Sequence, residues 1–182
     1  SQLGFDIDGE LGGDQSGYSV SLINSATYGR VVAIGAIYND GSTTSTSDNA
    51  GHVRVYQYRT ITESGWTNYN IADASYNGIA PTNKTIVIGA SGDTSPVPGK
   101  KYWVQMGADI DGELAGDWSG HSVSLVDSAT SGLVVAIGAY QNDTPTTSTS
   151  DNRGHVRVYQ YDATKTEAII TDASANYGPI GW

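Results

Sequence analysis

The chain contains no cysteine, which excludes disulfides, thiolate metal sites and a cysteine nucleophile. Only nine Lys and Arg stand against 19 Asp and Glu, a formal net charge of −10. Nucleic-acid phosphates need a basic surface, so nucleic-acid partners are excluded. No apolar run approaches the roughly 20 residues of a membrane helix, and we expect no membrane insertion. An acidic, cysteine-free chain rich in Ser, Thr and Asn favours an extracellular or cell-surface location.

Helix-forming patterns are also scarce. The sequence has 23 Gly, five Pro and one Phe, but 12 Tyr and four Trp. Frequent Gly, Asn, Asp and Ser favour short strands joined by turns, and no stretch shows helical periodicity. The composition therefore predicts an all-β fold.

The chain contains the same unit twice, at 4–58 and at 107–161. Of 55 aligned positions 42 are identical, at a constant offset of 103 residues. Such a copy indicates one supersecondary unit used repeatedly. We divide the chain into a blade-like repeat at 1–58, a degenerate repeat at 59–106, a second blade-like repeat at 107–161, and a partial repeat or closing strand at 162–182.

Four strands are predicted in each strong copy. In the first copy, residues 1–10, 18–22 and 52–58 alternate apolar and polar side chains, as half-buried strands do. Residues 31–36 are continuously apolar, as in a strand covered on both faces. Four strands in about 55 residues match one four-stranded blade of a β-propeller. We predict a propeller-like array of about 3–4 units.

The motifs GYSVSL, VVAIGA and GHVRVYQY, in that order, resemble the FG-GAP repeats of integrin-α-type β-propellers, in their bacterial and algal variant. Residues 17–20 and 120–123 occupy the FG position, and 33–36 and 136–139 the GAP position. The calcium loop that the family places between them has no counterpart at 23–28. Family propellers usually carry seven blades. The resemblance therefore implies either completion by another chain or a fragment of a longer propeller.

The sequences at the two ends of the chain support completion of the propeller by another chain. Trp182 followed by Ser1, Gln2, Leu3 and Gly4 would rebuild the W-x-QLG sequence at which the family's repeats begin. We therefore expect the end of one chain to meet the start of another, or its own start.

Acidic residues recur in both copies at relative positions 1, 3, 5 and 9. Calcium loops use oxygen ligands at this spacing, although the glycine lies at position 4 instead of 6. The alternative is that these carboxylates cap turns. The candidate calcium ligands are Asp6, Asp8, Glu10, Asp14, Asp109, Asp111, Glu113 and Asp117.

Other repeated polar residues are interpreted as structural. His52 and His155 recur with the repeat and lack converging metal ligands. Arg54 and Arg157 are predicted to face outward and to pair with acidic loops. The acidic loops at 39–49 and 142–152 are either recognition loops or capped turns.

The sequence predicts a structural or adhesion repeat module that makes contacts with a protein partner or with itself, as a homo-oligomer or filament. The alternative is a carbohydrate-binding, lectin-like propeller, in which exposed Trp66, Trp103 and Trp118 stack on sugars. Motifs for nucleophilic, zinc or phosphate chemistry are missing. Carboxylates repeated in both copies also lack the asymmetry of an acid–base pair, so we do not expect an enzyme.

Overall fold

The computed structural model describes residues 1–40, 48–61, 87–88, 97–143, 151–164, 169–170, 177–178 and 181–182. Within these ranges every regular element is a β-strand, so the predicted all-β class is confirmed. No helix there is long and apolar enough to cross a membrane. The strands are β1 (Ser16–Ser25), β2 (Gly29–Ala36), β3 (His52–Thr60), β4 (Val87–Ile88), β5 (Lys101–Gln105), β6 (Ile110–Asp111), β7 (Ser122–Ser128), β8 (Gly132–Ala139), β9 (His155–Gln160), β10 (Ile169–Ile170) and β11 (Tyr177–Gly178).

Each strong copy forms a three-stranded antiparallel meander. The first copy supplies β1, β2 and β3, and the second supplies β7, β8 and β9 in the same order. The registers correspond: Ala33 lies between Ser21 and Val55, and Ala136 lies between Ser124 and Val158. The VVAIGA strand is therefore the central strand of each meander, as its continuous apolar run predicts.

The first sheet is extended by strands from the rest of the chain. β5 and β4 follow β3 on one side, in the order β1-β2-β3-β5-β4, and β6 also pairs with β3. β6 belongs to the second copy, so the second copy contributes a short strand to the first copy's sheet. β10 and β11 form a separate two-stranded pair.

The two meanders pack face to face, and the main apolar core lies between them. Val31, Ala33, Val53 and Val55 of the first sheet contact buried residues of the second. The buried residues on the other side of this core are Met106, Ile110, Leu125, Leu133, Val135, Ile137 and Trp182. Alternation along each strand places these side chains on a single face of each sheet. The copies thus bury surface against each other that neither could bury alone.

Two predictions about strands need correction. Residues 1–10 form no strand in the first copy, and the equivalent segment of the second copy forms only β6. The physical reason is pairing: β6 forms on the edge of β3, and the first copy's segment meets no such edge in the described ranges. Much of the degenerate repeat at 59–106 lies outside the described residues. Its described strands, β4 and β5, extend the first sheet instead of building another.

Candidate functional site at the contact between the two copies

Part of the contact between the copies, beside the apolar core, is made through backbone and small side chains. Ser19 Oγ donates to the carbonyl of Gly120 at 2.6 Å, and the Leu125 N–H donates to Ser21 Oγ at 2.9 Å. At Gly35 the sheets are so close that an added Cβ would overlap the carbonyl oxygen of Gly120. Glycine in the VVAIGA strand is therefore required by the neighbouring backbone.

Arg54 lies on the face of β3 opposite Val53 and Val55, beneath the start of its own copy, and is completely buried, with 0% exposed surface. Its Nη2 donates to the carbonyl of Asp8 at 2.8 Å and to Ser16 Oγ at 3.4 Å. Its Nη1 lies 3.7 Å from Glu10 Oε1. Arg54 pairs with an acidic loop, as predicted, but the prediction of an outward, exposed side chain is wrong. The segment that covers this face of β3 comes from the start of the copy.

A carboxylate–amide network surrounds Arg54. Asn39 Nδ2 donates to Asp14 Oδ2 at 3.0 Å and to Glu10 Oε2 at 3.4 Å. Asp14 Oδ2 also accepts from the Leu11 N–H at 3.0 Å, which caps the turn that follows Glu10. The carboxylate of Asp14 therefore serves the capping role that the alternative interpretation assigned to it.

The second copy completes the cluster with Asp109. This carboxyl is buried and accepts from Gln105 Nε2 at 2.7 Å. His52 is also buried, with its Nδ1 3.8 Å from Glu10 Oε2. Among the described residues neither ring nitrogen of His52 has a hydrogen-bond partner.

Burial sets the electrostatics of the cluster. Burial raises the pKa of Glu10, although the Arg54 charge opposes it. Burial also raises the pKa of Asp109 well above its usual range, and the nearby Glu10 charge adds to this. The pKa of His52 is held well below its usual range, first by burial and second by Arg54. The site thus favours a neutral imidazole and resists placing full charge on both carboxyls.

These side chains could hold a cation. Glu10, His52 and Asp109 each offer a ligand atom, and the three atoms lie within 4.8 Å of one another. Neutral imidazole nitrogen and carboxylate oxygen are ligands that Zn²⁺ accepts, whereas Ca²⁺ prefers oxygen alone. The unpartnered nitrogens of His52 fit a metal, and the buried Arg54 charge opposes one.

The predicted calcium ligands are distributed differently from the 1-3-5-9 pattern. Asp6 and Asp8 are exposed, while Glu10 and Asp14 are buried. The group that the described structure brings together combines Glu10 with Asp109, which come from different copies. In the second copy, Asp117 caps its turn as Asp14 does, by accepting from the Leu114 N–H at 3.0 Å.

The second copy repeats most contacts of this site. Arg157 donates to the carbonyl of Asp111 at 2.6 Å and to Ser119 Oγ at 3.1 Å. His155 Nδ1 lies 3.5 Å from Glu113 Oε2. Each of these contacts matches one of the first copy at the offset of 103. The difference is burial, because the side chains of His155 and Glu113 are 22% and 23% exposed.

The three tryptophans of the lectin interpretation have different environments. Trp66 lies outside the described residues. Trp103 is buried, and its Nε1 donates to the carbonyl of Leu3 at 2.8 Å, so the expectation of an exposed ring is wrong there. Trp118 is half-buried between Tyr38 and Tyr140, with ring centroids 5.1 and 5.6 Å away.

Two tryptophans mark equivalent places in successive units. Trp182 Nε1 donates to the carbonyl of Met106 at 2.7 Å, as Trp103 donates to Leu3. Leu3 and Met106 are 103 residues apart. Each indole also packs on a tyrosine, Tyr58 at 5.1 Å in the first copy and Tyr161 at 5.0 Å in the second. Trp182 therefore occupies, on the second copy, the position that Trp103 occupies on the first.

Sequence reasoning missed the polar side chains that bind the buried carboxylates of this cluster. Asn39 was interpreted only as part of an acidic loop and Arg54 as an outward residue, and Gln105 was not singled out, yet all three contact these carboxylates. Their recurrence at the repeat offset was the available signal. Comparison with protein-family models and with curated proteins gives no match for this chain.

Proposed function

We propose that this chain is an extracellular or cell-surface structural or adhesion module whose repeats mediate protein–protein contacts, including self-assembly. The observation that carries the proposal is the face-to-face packing of the two copies, which leaves apolar side chains exposed on the outer face of each. On the first copy Val20 and Leu22 are 63% and 62% exposed. On the second, Val156 and Val158 are 67% and 64% exposed. Clustered apolar exposure of this kind marks interaction surfaces.

We further propose that the repeats are blades of a propeller-like array. Two findings support this arrangement: each sheet stacks on the next, and the second copy's β6 pairs with the first copy's β3. The position of Trp182 adds a third, because it matches the start of a further unit. The described residues form no closed ring, so another chain or further repeats would have to complete one.

The proposal is tested by native mass spectrometry of the whole chain over a range of concentrations, in calcium and again after chelation. We expect assemblies larger than one chain that grow with concentration. If the assemblies dissociate on chelation, a bound cation stabilises the contact between chains. If chelation has no effect, packing alone stabilises it. A chain that stays monomeric at millimolar concentration in both conditions would overturn self-assembly.

A carbohydrate-binding function is the second candidate, and an aromatic cluster favours it. Tyr18, Tyr38, Trp118, His121 and Tyr140 lie in one group that spans both copies, with ring centroids 4.5 to 5.6 Å apart. Tyr18 and Tyr140 are half-exposed, which leaves ring surface for stacking. A glycan array with wild type and Trp118→Gln tests it. Gln15 occupies the equivalent position in the first copy with the same backbone conformation, φ 54° against 55°.

A further inference from the structure

The contact between the two copies supplies a template for a contact between two chains. On the face of the first sheet that packs against the second copy lie Ser19, Ser21 and Gly35. These residues contact strand β7 and the residue Gly120 just before it. Beside them, Val53 and Val55 are 0% and 1% exposed beneath the second sheet. This receiving face is defined by those five residues.

The second copy carries an identical receiving face with nothing packed on it among the described residues. The equivalents of the five residues are Ser122, Ser124, Gly138, Val156 and Val158, all conserved in type. The two valines are 67% and 64% exposed where their counterparts are buried. These five positions therefore differ between the copies in whether a following sheet covers them.

The first copy presents the complementary docking face. In the second copy Gly120 and Leu125 form hydrogen bonds with the receiving face, and Leu125 is 7% exposed. Their equivalents in the first copy, Gly17 and Leu22, have the same residue types, and Leu22 is 62% exposed. A second chain could therefore present the same atoms to the open receiving face that the second copy presents to the first.

The first copy also contains the Gln–Asp hydrogen bond that the second copy places beside Arg54. Gln105 Nε2 donates to Asp109, which lies beside Arg54, and in the first copy Gln2 Nε2 donates to Asp6 at 2.8 Å in the same way. In the described structure Arg157 has no counterpart of Asp109. Asp6 of a following chain would supply it.

The outer edge of β9 corresponds to the edge of β3 that pairs with β6. β6 pairs with β3 through His52 and Val53. Among the described strands, β9 pairs only with β8, which leaves its outer edge, at His155 and Val156, available. An unpaired edge of this kind accepts an added strand, and the segment around Ile7 is the equivalent of β6.

We propose that the open receiving face binds the docking face of a second copy of this chain, head to tail, in the register of the internal contact. The inference rests on the self-assembly part of the proposed function and specifies its geometry. Because the two faces lie on different copies, the contact is heterologous. It generates a closed ring if the rotation between chains closes and a filament if it does not.

Two differences between the copies set the strength of this contact. Arg30 stands where Leu133 is buried in the internal contact, and Arg153 stands where Ala50 is buried. Burying a guanidinium without a carboxylate partner is unfavourable. The contact between chains is therefore weaker than the contact between copies, and it should respond to removal of these two charges.

The test measures association by sedimentation velocity for wild type and Gly138→Ala. In the isolated chain the added methyl meets first the side-chain hydroxyl of Ser122, which can rotate. In the proposed assembly it would overlap the carbonyl of Gly17 from the next chain, as Gly35 shows for Gly120. We expect an unchanged circular dichroism spectrum and a dissociation constant raised by roughly 10- to 100-fold.

Two further variants keep the test decisive. Val158→Lys places a charge on the exposed receiving face and should also abolish association, even if Gly138→Ala folds poorly. The double variant Arg30→Leu with Arg153→Ala should lower the dissociation constant by roughly tenfold. Oligomers that all these variants leave unchanged would overturn this register while the proposed self-assembly stands. Monomers of wild type and of the double variant at millimolar concentration would overturn both.

Discussion

Arg54 offers the sharpest test of how the two copies are held together. We predict that Arg54→Met destabilises the chain far more than Arg157→Met, although the two residues occupy equivalent positions in sequence. Arg54 is fully buried beside Glu10 and Asp109, and methionine keeps most of its volume. Removing the guanidinium leaves two buried carboxyls without their cation.

The magnitude follows from burial. Removing one partner of a buried ion pair costs about 3–5 kcal/mol, because the other charge stays desolvated and unpaired. Arg157 is partly exposed and makes two hydrogen bonds. Its loss should cost about 1–2 kcal/mol at the usual value of roughly 1 kcal/mol per bond. The free energy of unfolding should therefore differ between the two variants by about 1–4 kcal/mol.

The assay is urea unfolding followed by tryptophan fluorescence, at a concentration where the wild type is monomeric. The pH dependence identifies the cause. The pKa values of Glu10 and Asp109 are raised by burial, and Arg54 lowers both. Without Arg54, protonation relieves the unpaired charge, so the deficit of Arg54→Met should shrink as the pH falls from 7 toward about 5. Equal losses for both variants, or a deficit independent of pH, would refute the reasoning.

Three further predictions concern the same contact. His52 has a lowered pKa, so the unfolded chain binds its proton first and stability falls as the pH drops below about 6.5. His52→Gln should remove the loss of unfolding free energy that His52 causes on acidification, up to about 1.4 kcal/mol per pH unit. Urea unfolding measures it, and His155→Gln is the matched, partly exposed control. Gly35→Ala should lower the unfolding midpoint strongly, because its methyl overlaps the facing backbone, whereas Gly138→Ala should leave the monomer close to wild type. A zinc titration should raise the thermal midpoint of wild type, since a ligand that binds only the folded state stabilises it, but not that of Asp109→Asn. A midpoint indifferent to zinc, and to calcium, would show that the carboxylates serve only capping and pairing.

Much of the architecture could be predicted because it depends on local pattern. The VVAIGA run predicts a central strand, and β2 and β8 are central in their meanders. At the two acidic loops, Asp40 accepts from the Asn49 N–H at 2.9 Å, and Asp143 accepts from the Asn152 N–H at 2.7 Å. These bonds join the ends of each loop, and residues 41–47 and 144–150 between them lie outside the described residues.

The candidate site could be predicted only in part. The residue types at Glu10 and Asp109 were singled out as metal ligands, but in separate loops. The structure brings them together with His52, 42 residues beyond Glu10 in sequence. Alternation predicted an outward Arg54, since a pattern of period two distinguishes two faces without saying what covers each.

The all-β class, the two copies and the order of strands within each follow from local sequence, because backbone preferences and side-chain alternation act over a few residues. Which copy covers which depends on how the sheets pack. Two nearly identical units bury Val53 in one and expose Val156 in the other, and place Arg54 near a buried Asp109 while Arg157 has no such neighbour in the described ranges. The residues are the same, and the difference is the presence of a neighbouring sheet, which removes water from one face and leaves it on the other.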